Sequence, residues 1–248
     1  MTLAARLSEA RLALMLLTRL PVGQFAGEPP SIAAARWAFP FVGLVIGALG
    51  WAGFAGAQAL GLPVPVAAGL ALAVQLGTTG ALHLDGLADY ADGMGARDRT
   101  RALEIMRDSR IGSYGVIALI VVLGLIWSAM STTAIGDAPW VFLLAGAGSR
   151  MAMLWVLIAL PPARADGMGR MATGQGARAL WPGMALMPIL LWPFGISGLI
   201  AALIAGALCL GLAAQARRRL GGQTGDVLGA VQVLCEAALW IALAARPI

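Results

Sequence analysis

Long apolar runs, bounded by charged residues or by Pro and Gly, are the feature that most limits how this chain folds. A helix needs about 20 apolar residues to cross the hydrocarbon core of a bilayer. The 248-residue sequence is 60% hydrophobic and 12% charged, against about 25% charged in a soluble domain. We therefore predict an all-α, polytopic integral membrane protein with a single transmembrane domain over residues 1–248. Seven spans are predicted: Trp37–Leu60, Val64–Leu82, Tyr114–Ile135, Trp140–Leu160, Trp181–Phe194, Ile196–Gln215 and Val227–Ala245.

The flanking segments predict how these spans are oriented. Residues 3–20 mix charges with apolar positions and lack a cleavage site, which predicts a retained amphipathic helix at the membrane surface. Arg residues gather in this segment and in connections 83–113, 161–180 and 217–219. The positive-inside bias then predicts the cell inner membrane, with the N-terminus and these connections cytoplasmic and the C-terminus on the far side. Since this bias also accounts for the net charge of +5, we predict no nucleic-acid partner. The fifth span is the weakest prediction, because it is short and Pro-rich.

Acidic residues cluster after the second span: six of the twelve lie between Asp85 and Asp108. If that span continues as a helix, Asp85, Asp89 and Asp92 stand at i, i+4 and i+7 on one face. Three stacked carboxylates repel each other by about 1 kcal/mol per close pair in water, and a hard dication such as Mg²⁺ offsets that repulsion. We therefore predict a Mg²⁺ site on the cytoplasmic side. The structural alternative is that these acids only solvate a helix end.

His83 is the only histidine of the chain and directly precedes this cluster. It is a candidate general base or a partner of a metal-bound carboxylate. A hydrogen-bonded structural histidine is the other interpretation, and both stay open at this point.

A second polar segment, Met106–Gly115, follows a helix predicted over Arg97–Arg110 with Asp98 as its N-cap. Guanidinium forks suit phosphate oxygens, and glycines at 112 and 115 permit close backbone approach. Beside Asp108 and Ser109, Arg107 and Arg110 are therefore candidate substrate-binding residues. The other arginines of this helix, Arg97, Arg99 and Arg101, are interpreted as membrane anchors.

Further charges lie closer to the spans. Thr224 and Asp226 precede the last span and are candidate substrate-binding residues, because backbone N–H groups there favour an anion; a helix cap is the structural alternative. Segment 164–170 is a similar polar connection. Arg150 and Glu236 interrupt apolar runs, so each is expected to face a polar cavity or a counter-charge.

Three segments together resemble one enzyme family, the cobalamin synthases or adenosylcobinamide-GDP ribazoletransferases. They are HLDGLADYADG from His83, MRDSRIGSYG from Met106 and GGQTGDVLGA from Gly221, in the family's order and within a resemblance over essentially the full length.

The resemblance implies a Mg²⁺-dependent transferase with two substrates, a nucleotide-activated corrinoid and α-ribazole. It implies that α-ribazole, or its 5′-phosphate, is joined to adenosylcobinamide-GDP with release of GMP, in the final steps of vitamin B12 synthesis. It carries the family's acidic motif over to Asp85, Asp89 and Asp92, and the second motif to Asp108, Ser109 and Arg110. The sequence is compatible with either a monomer or an oligomer.

Other classes use similar residues. CDP-alcohol phosphotransferases also carry aspartates on membrane helices, but their motif has an Ala-Arg step that this sequence lacks. Prenyltransferases typically have two Asp-rich motifs, and one good cluster is present here. An ion-coupled transporter is expected to place acids near mid-span and to contain an internal repeat, whereas these acids gather at span ends.

Overall fold

The computed structural model describes residues 2–132, 138–174 and 176–245, and within these ranges it is helical without strands. The predicted all-α class is confirmed. The helices are α1 (Leu3–Leu17), α2 (Ile32–Ala35), α3 (Phe39–Ala59), α4 (Val64–Thr79), α5 (Leu82–Met94), α6 (Arg99–Ile105), α7 (Ser113–Ser131), α8 (Ala138–Ala159), α9 (Met168–Met171), α10 (Trp181–Leu191), α11 (Gly195–Leu220) and α12 (Gly225–Ala244). Short 3₁₀ turns precede α3, α10 and α11. The end of the predicted third span, residues 133–135, lies outside the described ranges.

Helices α3, α8 and α12 form the centre of the bundle. A Cβ added at Gly43 or Gly146 would lie less than 3.0 Å from the backbone of the other, and Gly47 meets the backbone of Phe142 in the same way. Small residues thus let α3 and α8 approach closely, which is a common way for helices to associate in lipid. Trp240 of α12 packs edge-on against Phe142, with ring centroids 4.8 Å apart.

The number of crossings depends on how the segment Ala177–Leu220 is counted. Within the described ranges, length and composition give five helical segments able to cross a membrane, or six with the bent pair α4–α5. Met187 of α10 lies beside Gly148 of α8, and Cys209 of α11 lies 3.7 Å from the carbonyl of Ala152. In one straight helix Met187 and Cys209 would be about 33 Å apart, so the chain folds back between them.

The predicted seven crossings are reached only if α10 and α11 are counted separately. Helix α10 has 11 residues and is about 16 Å long, against about 30 Å for the hydrocarbon core. The seventh crossing therefore stays a prediction.

The predicted N-terminal helix is confirmed, although it ends at Leu17 and not at residue 20. The prediction that it is amphipathic is wrong, because its apolar residues are not gathered on one face. It packs on the bundle through buried Ala13 and Leu17. Glu9 is also buried, and it accepts hydrogen bonds from Arg6 and from the indole of Trp37.

The second predicted span does not continue straight into the acidic segment. Gly80 and Ala81 both adopt left-handed backbone conformations, with φ of 62° and 58°, and α5 leaves α4 at 89°. The left-handed conformation costs about 1–2 kcal/mol for a residue other than glycine. The N–H groups of both residues donate to the carbonyl of Leu76, and the side chain of Arg19 packs over Gly80. The break turns α5 across the end of the bundle.

The polar connections meet at this same end, as their shared side predicted. Ala163 donates its N–H to the carbonyl of Gln223, and Gln223 donates to the carbonyl of Pro161, both at 2.8 Å. Arg99 donates to the carbonyls of Leu220 and Ala163 at 2.7 and 2.9 Å. Connections 83–113, 161–174 and 221–224 are thereby held together.

Candidate functional site

The site is built where α5 crosses the start of α12. Gly86 of α5 packs against the backbone of Asp226 and Gly229, with no room for a larger side chain without displacement. On either side of Gly86, Asp85 is exposed and Asp89 is partly buried. The carboxylates of Asp85, Asp226 and Asp92 all lie close enough to Asp89 to interact with it electrostatically. The structure thus adds the carboxylate of Asp226 to those from α5.

Asp226 is held by its own helix and by the 161–166 connection. Thr224 caps α12 by accepting a hydrogen bond from the N–H of Val227 at 3.2 Å, and its hydroxyl lies 3.2 Å from a carboxylate oxygen of Asp226. The guanidinium of Arg164 lies 3.6 Å from the same oxygen and is mostly buried. Thr224 is therefore both a helix cap and a neighbour of the carboxylates.

Asp92, predicted to share the metal site, has a different set of partners. Its carboxylate accepts hydrogen bonds from the N–H groups of Gly112, at 2.7 Å, and Gly115, at 2.9 Å. These groups stand at the start of α7, where free N–H groups and the helix dipole favour an anion. A Cβ at Gly112 or Gly115 would lie less than 3.0 Å from this carboxylate. The predicted close approach at these glycines is real, and the group that approaches is Asp92.

His83 lies two residues before Asp85 and is 7% exposed. The residue lines two cavities, one beside Asp85 and Asp226 and a smaller one beside Arg150 and Glu236. The ring forms no hydrogen bond with any described residue. Both interpretations of His83, a general base and a structural histidine, stay predictions.

The second polar segment forms a turn instead of the end of a long helix. Asp98 caps α6 as predicted, accepting from the N–H of Arg101 at 2.9 Å, but α6 ends at Ile105. In the turn, Asp108 binds the Arg110 guanidinium at 2.6 Å. Hydrogen bonds from the side chain and backbone of Arg110 lower the pKa of Asp108 to about 2, so the pair stays ionised at neutral pH.

Arg107 and Ser109 complete that segment, and both are exposed. Arg107 forms a two-pronged ion pair with exposed Asp166, at 2.5 and 2.7 Å. Exposed ion pairs contribute little stability. An incoming phosphate can therefore replace Asp166 at Arg107, or Asp108 at Arg110, at a small cost in free energy. The guanidinium groups of Arg107 and Arg164 lie close enough to repel each other, so this segment lies near the arginine that pairs with Asp226.

The carboxylates of Asp85 and Asp89 suit a hard dication whose remaining ligands come from elsewhere. Mg²⁺ is commonly held by one or two carboxylates together with substrate phosphates and waters, and Asp85 and Asp89 offer two accessible carboxylates. Among the described residues, however, no group of three or more His, Cys, Asp or Glu side chains is arranged to hold a metal by itself. The residues present therefore suit an ion that arrives with phosphate ligands.

Sequence reasoning did not single out Arg164 as a site residue. The available signal was its position in the polar connection beside Asp166. What brings it to Asp226 is the pairing of 161–163 with Gln223, which no local pattern predicts.

The expectation for Arg150 and Glu236 is confirmed. They form a buried ion pair at 3.0 Å, and Gln232 and Ser149 join them through hydrogen bonds. Arg150, Glu236 and Gln232 of this network form part of the wall of the smaller cavity that His83 also lines.

The chain is similar to known proteins over nearly its whole length. Residues 9–244 match the model of the family described as cobalamin-5-phosphate synthase. The adenosylcobinamide-GDP ribazoletransferase of Azorhizobium caulinodans is 44% identical, covering 97% of each chain. Those of Bradyrhizobium diazoefficiens and Mesorhizobium japonicum are 41% and 40% identical, each covering 96% of this chain and 94% of the relative. No solved structure gives a significant match. The family match spans α1 to α12, and the chain therefore belongs to the cobalamin-5-phosphate synthase family.

Proposed function

We propose that this protein is the membrane transferase that joins α-ribazole, or α-ribazole 5′-phosphate, to adenosylcobinamide-GDP. The observation that carries the proposal is the meeting of separate segments at one end of the bundle: Asp85 and Asp89 from α5, and Asp226 from α12. The full-length similarity to adenosylcobinamide-GDP ribazoletransferases supports the choice of substrates.

The reaction is a phosphoryl transfer in which every atom is accounted for. A ribose hydroxyl oxygen of the ribazole attacks the phosphorus atom that carries the cobinamide. A new P–O bond forms there, and the P–O bond of the pyrophosphate to the guanosine phosphate breaks. GMP leaves with that bonding electron pair, and the hydroxyl proton passes to a base. Catalysis of this kind depends mainly on positioning and on charge neutralisation.

Asp85 and Asp89 would hold Mg²⁺ together with the pyrophosphate oxygens, and Asp226 is the third carboxylate at the same place. When bound, the ion would supply neutralisation of phosphate charge, which this acidic cluster cannot provide. Arg164 is the cation nearest to the cluster, at 3.6 Å from Asp226. It limits the repulsion among the carboxylates and can donate hydrogen bonds to a phosphate oxygen.

Arg107 and Arg110 are the proposed phosphate-binding side chains at the outer edge of the site. Both are exposed and bear carboxylate partners that a phosphate can replace. The hydroxyl proton goes either to His83, which lines the cavity beside Asp85, or to one of the aspartates. We further propose that the site faces the cytoplasm from the cell inner membrane, in keeping with the Arg-rich connections at this end.

The experiment compares wild type with Asp89→Asn, both purified into lipid nanodiscs. GMP release is followed with Mg²⁺, adenosylcobinamide-GDP and α-ribazole 5′-phosphate. We expect Asp89→Asn to lower kcat at least about a hundredfold, since removing a group that neutralises transition-state charge commonly costs 10²–10³. Its thermal unfolding should be unchanged.

Glu104→Gln is the matched control, because Glu104 is an exposed acid on neighbouring α6 that forms an ion pair with Arg101, also exposed. It should release GMP at the wild-type rate. Near-normal turnover of Asp89→Asn would contradict the role of the α5 carboxylates. Failure of wild type to release GMP from this substrate pair would overturn the proposed function itself.

A further inference from the structure

A cavity of about 260 Å³ lies between α1, α5, α8 and α12, directly beside the carboxylates. Asp85, Asp226 and His83 form its polar edge. The rest of its wall is apolar and includes Leu17, Phe39, Met153, Leu157 and Leu228. Asp85 is exposed whereas Leu157 is 1% exposed, so the cavity runs from the site inward between the helices.

The dimensions of this cavity restrict its occupant. Pockets for drug-sized molecules typically measure about 300–1,000 Å³, and this one is slightly smaller. It is too small for a corrinoid ring. A flat two-ring system matches it, and each of the two proposed substrates contains one: the guanine of the activated corrinoid and the dimethylbenzimidazole of α-ribazole.

The chemistry of the wall favours dimethylbenzimidazole over guanine. Guanine carries several donors and acceptors along its edges, and each one that is buried without a partner weakens binding. Dimethylbenzimidazole is apolar except for one free ring nitrogen. The wall offers apolar side chains and a single side chain, His83, that is more than nine-tenths buried and has no hydrogen-bond partner among the described residues. One polar group on the ligand thus meets one polar group on the wall.

We propose that this cavity binds the aromatic base of the ribazole substrate, with the ribose directed toward Asp85 and Asp226. The proposal rests on the function proposed above. It brings the ribose hydroxyl to the carboxylates and leaves the exposed face, with Arg107 and Arg110, to the pyrophosphate of the larger substrate. Leu157 and Met153 then determine which bases are accepted.

The test changes the size of the cavity. Leu157→Trp fills it, and Ile158→Trp is the matched control, because Ile158 is the next residue on α8 and does not line the cavity. In nanodiscs, Leu157→Trp should raise KM for the dimethylbenzimidazole riboside about tenfold or more, within the discrimination that hydrophobic pockets achieve. KM for adenosylcobinamide-GDP should change less than about twofold. Ile158→Trp should leave both KM values unchanged.

A second readout separates cavity shape from general damage. Leu157→Trp should accept the smaller, unsubstituted benzimidazole riboside better than the dimethyl compound, reversing the wild-type order. Equal KM changes for both substrates, or no reversal of base preference, would overturn the proposal. A phospholipid that copurifies with wild type, is lost from Leu157→Trp and leaves KM for the riboside unaltered would assign the cavity to a lipid chain and overturn it as well. Inactive wild type would instead indicate that the proposed function is wrong.

Discussion

Replacing Asp92 separates two roles that a carboxylate can have at this position. The sequence predicts a third Mg²⁺ ligand, whereas both oxygens of Asp92 bind N–H groups at the start of α7. Asp92→Ala removes both hydrogen bonds and also the charge that faces the positive end of the helix dipole. If capping is its main role, the loss should appear first in stability.

The size of this loss follows from the two contacts. A buried N–H left without a partner costs about 1–3 kcal/mol. The Gly112 N–H lies in partly buried surroundings and the Gly115 N–H in fully buried ones, so water can satisfy one of the two in part. We expect a total of about 2–4 kcal/mol. For a chain of this size each kcal/mol lowers Tm by about 2–4 °C, so Tm should fall by about 4–16 °C.

The assay measures thermal unfolding and the Mg²⁺ dependence of GMP release on the same nanodisc samples. Asp92→Ala should lower Tm by the stated amount, and the folded fraction should keep a wild-type half-saturating Mg²⁺ concentration. Asp85→Asn is the comparison, because Asp85 is exposed. It should keep Tm and lose turnover.

One outcome would refute this reasoning. If Asp92→Ala keeps the wild-type Tm but needs at least tenfold more Mg²⁺, Asp92 acts as a metal ligand. The hydrogen bonds to α7 would then contribute little to stability.

Three further predictions concern the scaffold, each measured as Tm in nanodiscs. Arg150→Met should destabilise the protein by about 3–5 kcal/mol, because it leaves Glu236 buried without its counter-charge. Adding Glu236→Gln to Arg150→Met should recover most of this loss of stability. If stability is not recovered, the ion-pair explanation is contradicted. Gly146→Leu should prevent stable folding, because its side chain would overlap the backbone of α3, and wild-type Tm in this variant would disprove the close approach. Ala81→Gly should be neutral or stabilising by up to about 1–2 kcal/mol, since glycine adopts the left-handed conformation without strain, whereas a clear loss of stability would contradict the assigned backbone strain.

Much of the site was predictable from local patterns, and the exceptions are informative. Asp85 and Asp89 lie one helical turn apart on α5, so their proximity follows from helix geometry alone. The same geometry predicts Asp92 on that face. It cannot predict that α7 begins beside Asp92, because that contact joins residues 20 and 23 positions apart.

The proximity of Asp226 and Arg164 to the α5 carboxylates could not be predicted from local patterns. Each lies in a polar segment that sequence reasoning noticed, and neither segment alone distinguishes a helix cap from a binding residue. The pairing of Pro162 with Gln223 brings Arg164 to Asp226, and the packing of Gly86 on Asp226 brings both to the α5 carboxylates. These contacts depend on residues more than 60 positions apart in the chain, and no periodicity encodes them.

The sequence by itself determined the helical membrane class, the side on which the polar connections gather, the helix cap at Asp98, and the family. Those features depend on composition, on spacing along one helix and on adjacent residues. Only the tertiary structure decided that α5 turns by 89° at Gly80 and Ala81. It alone placed Asp226 beside Asp85 and Asp89, gave Asp92 its hydrogen bonds to the start of α7, and left an apolar cavity behind the carboxylates. The physical reason is that these outcomes depend on packing between helices that are distant in sequence.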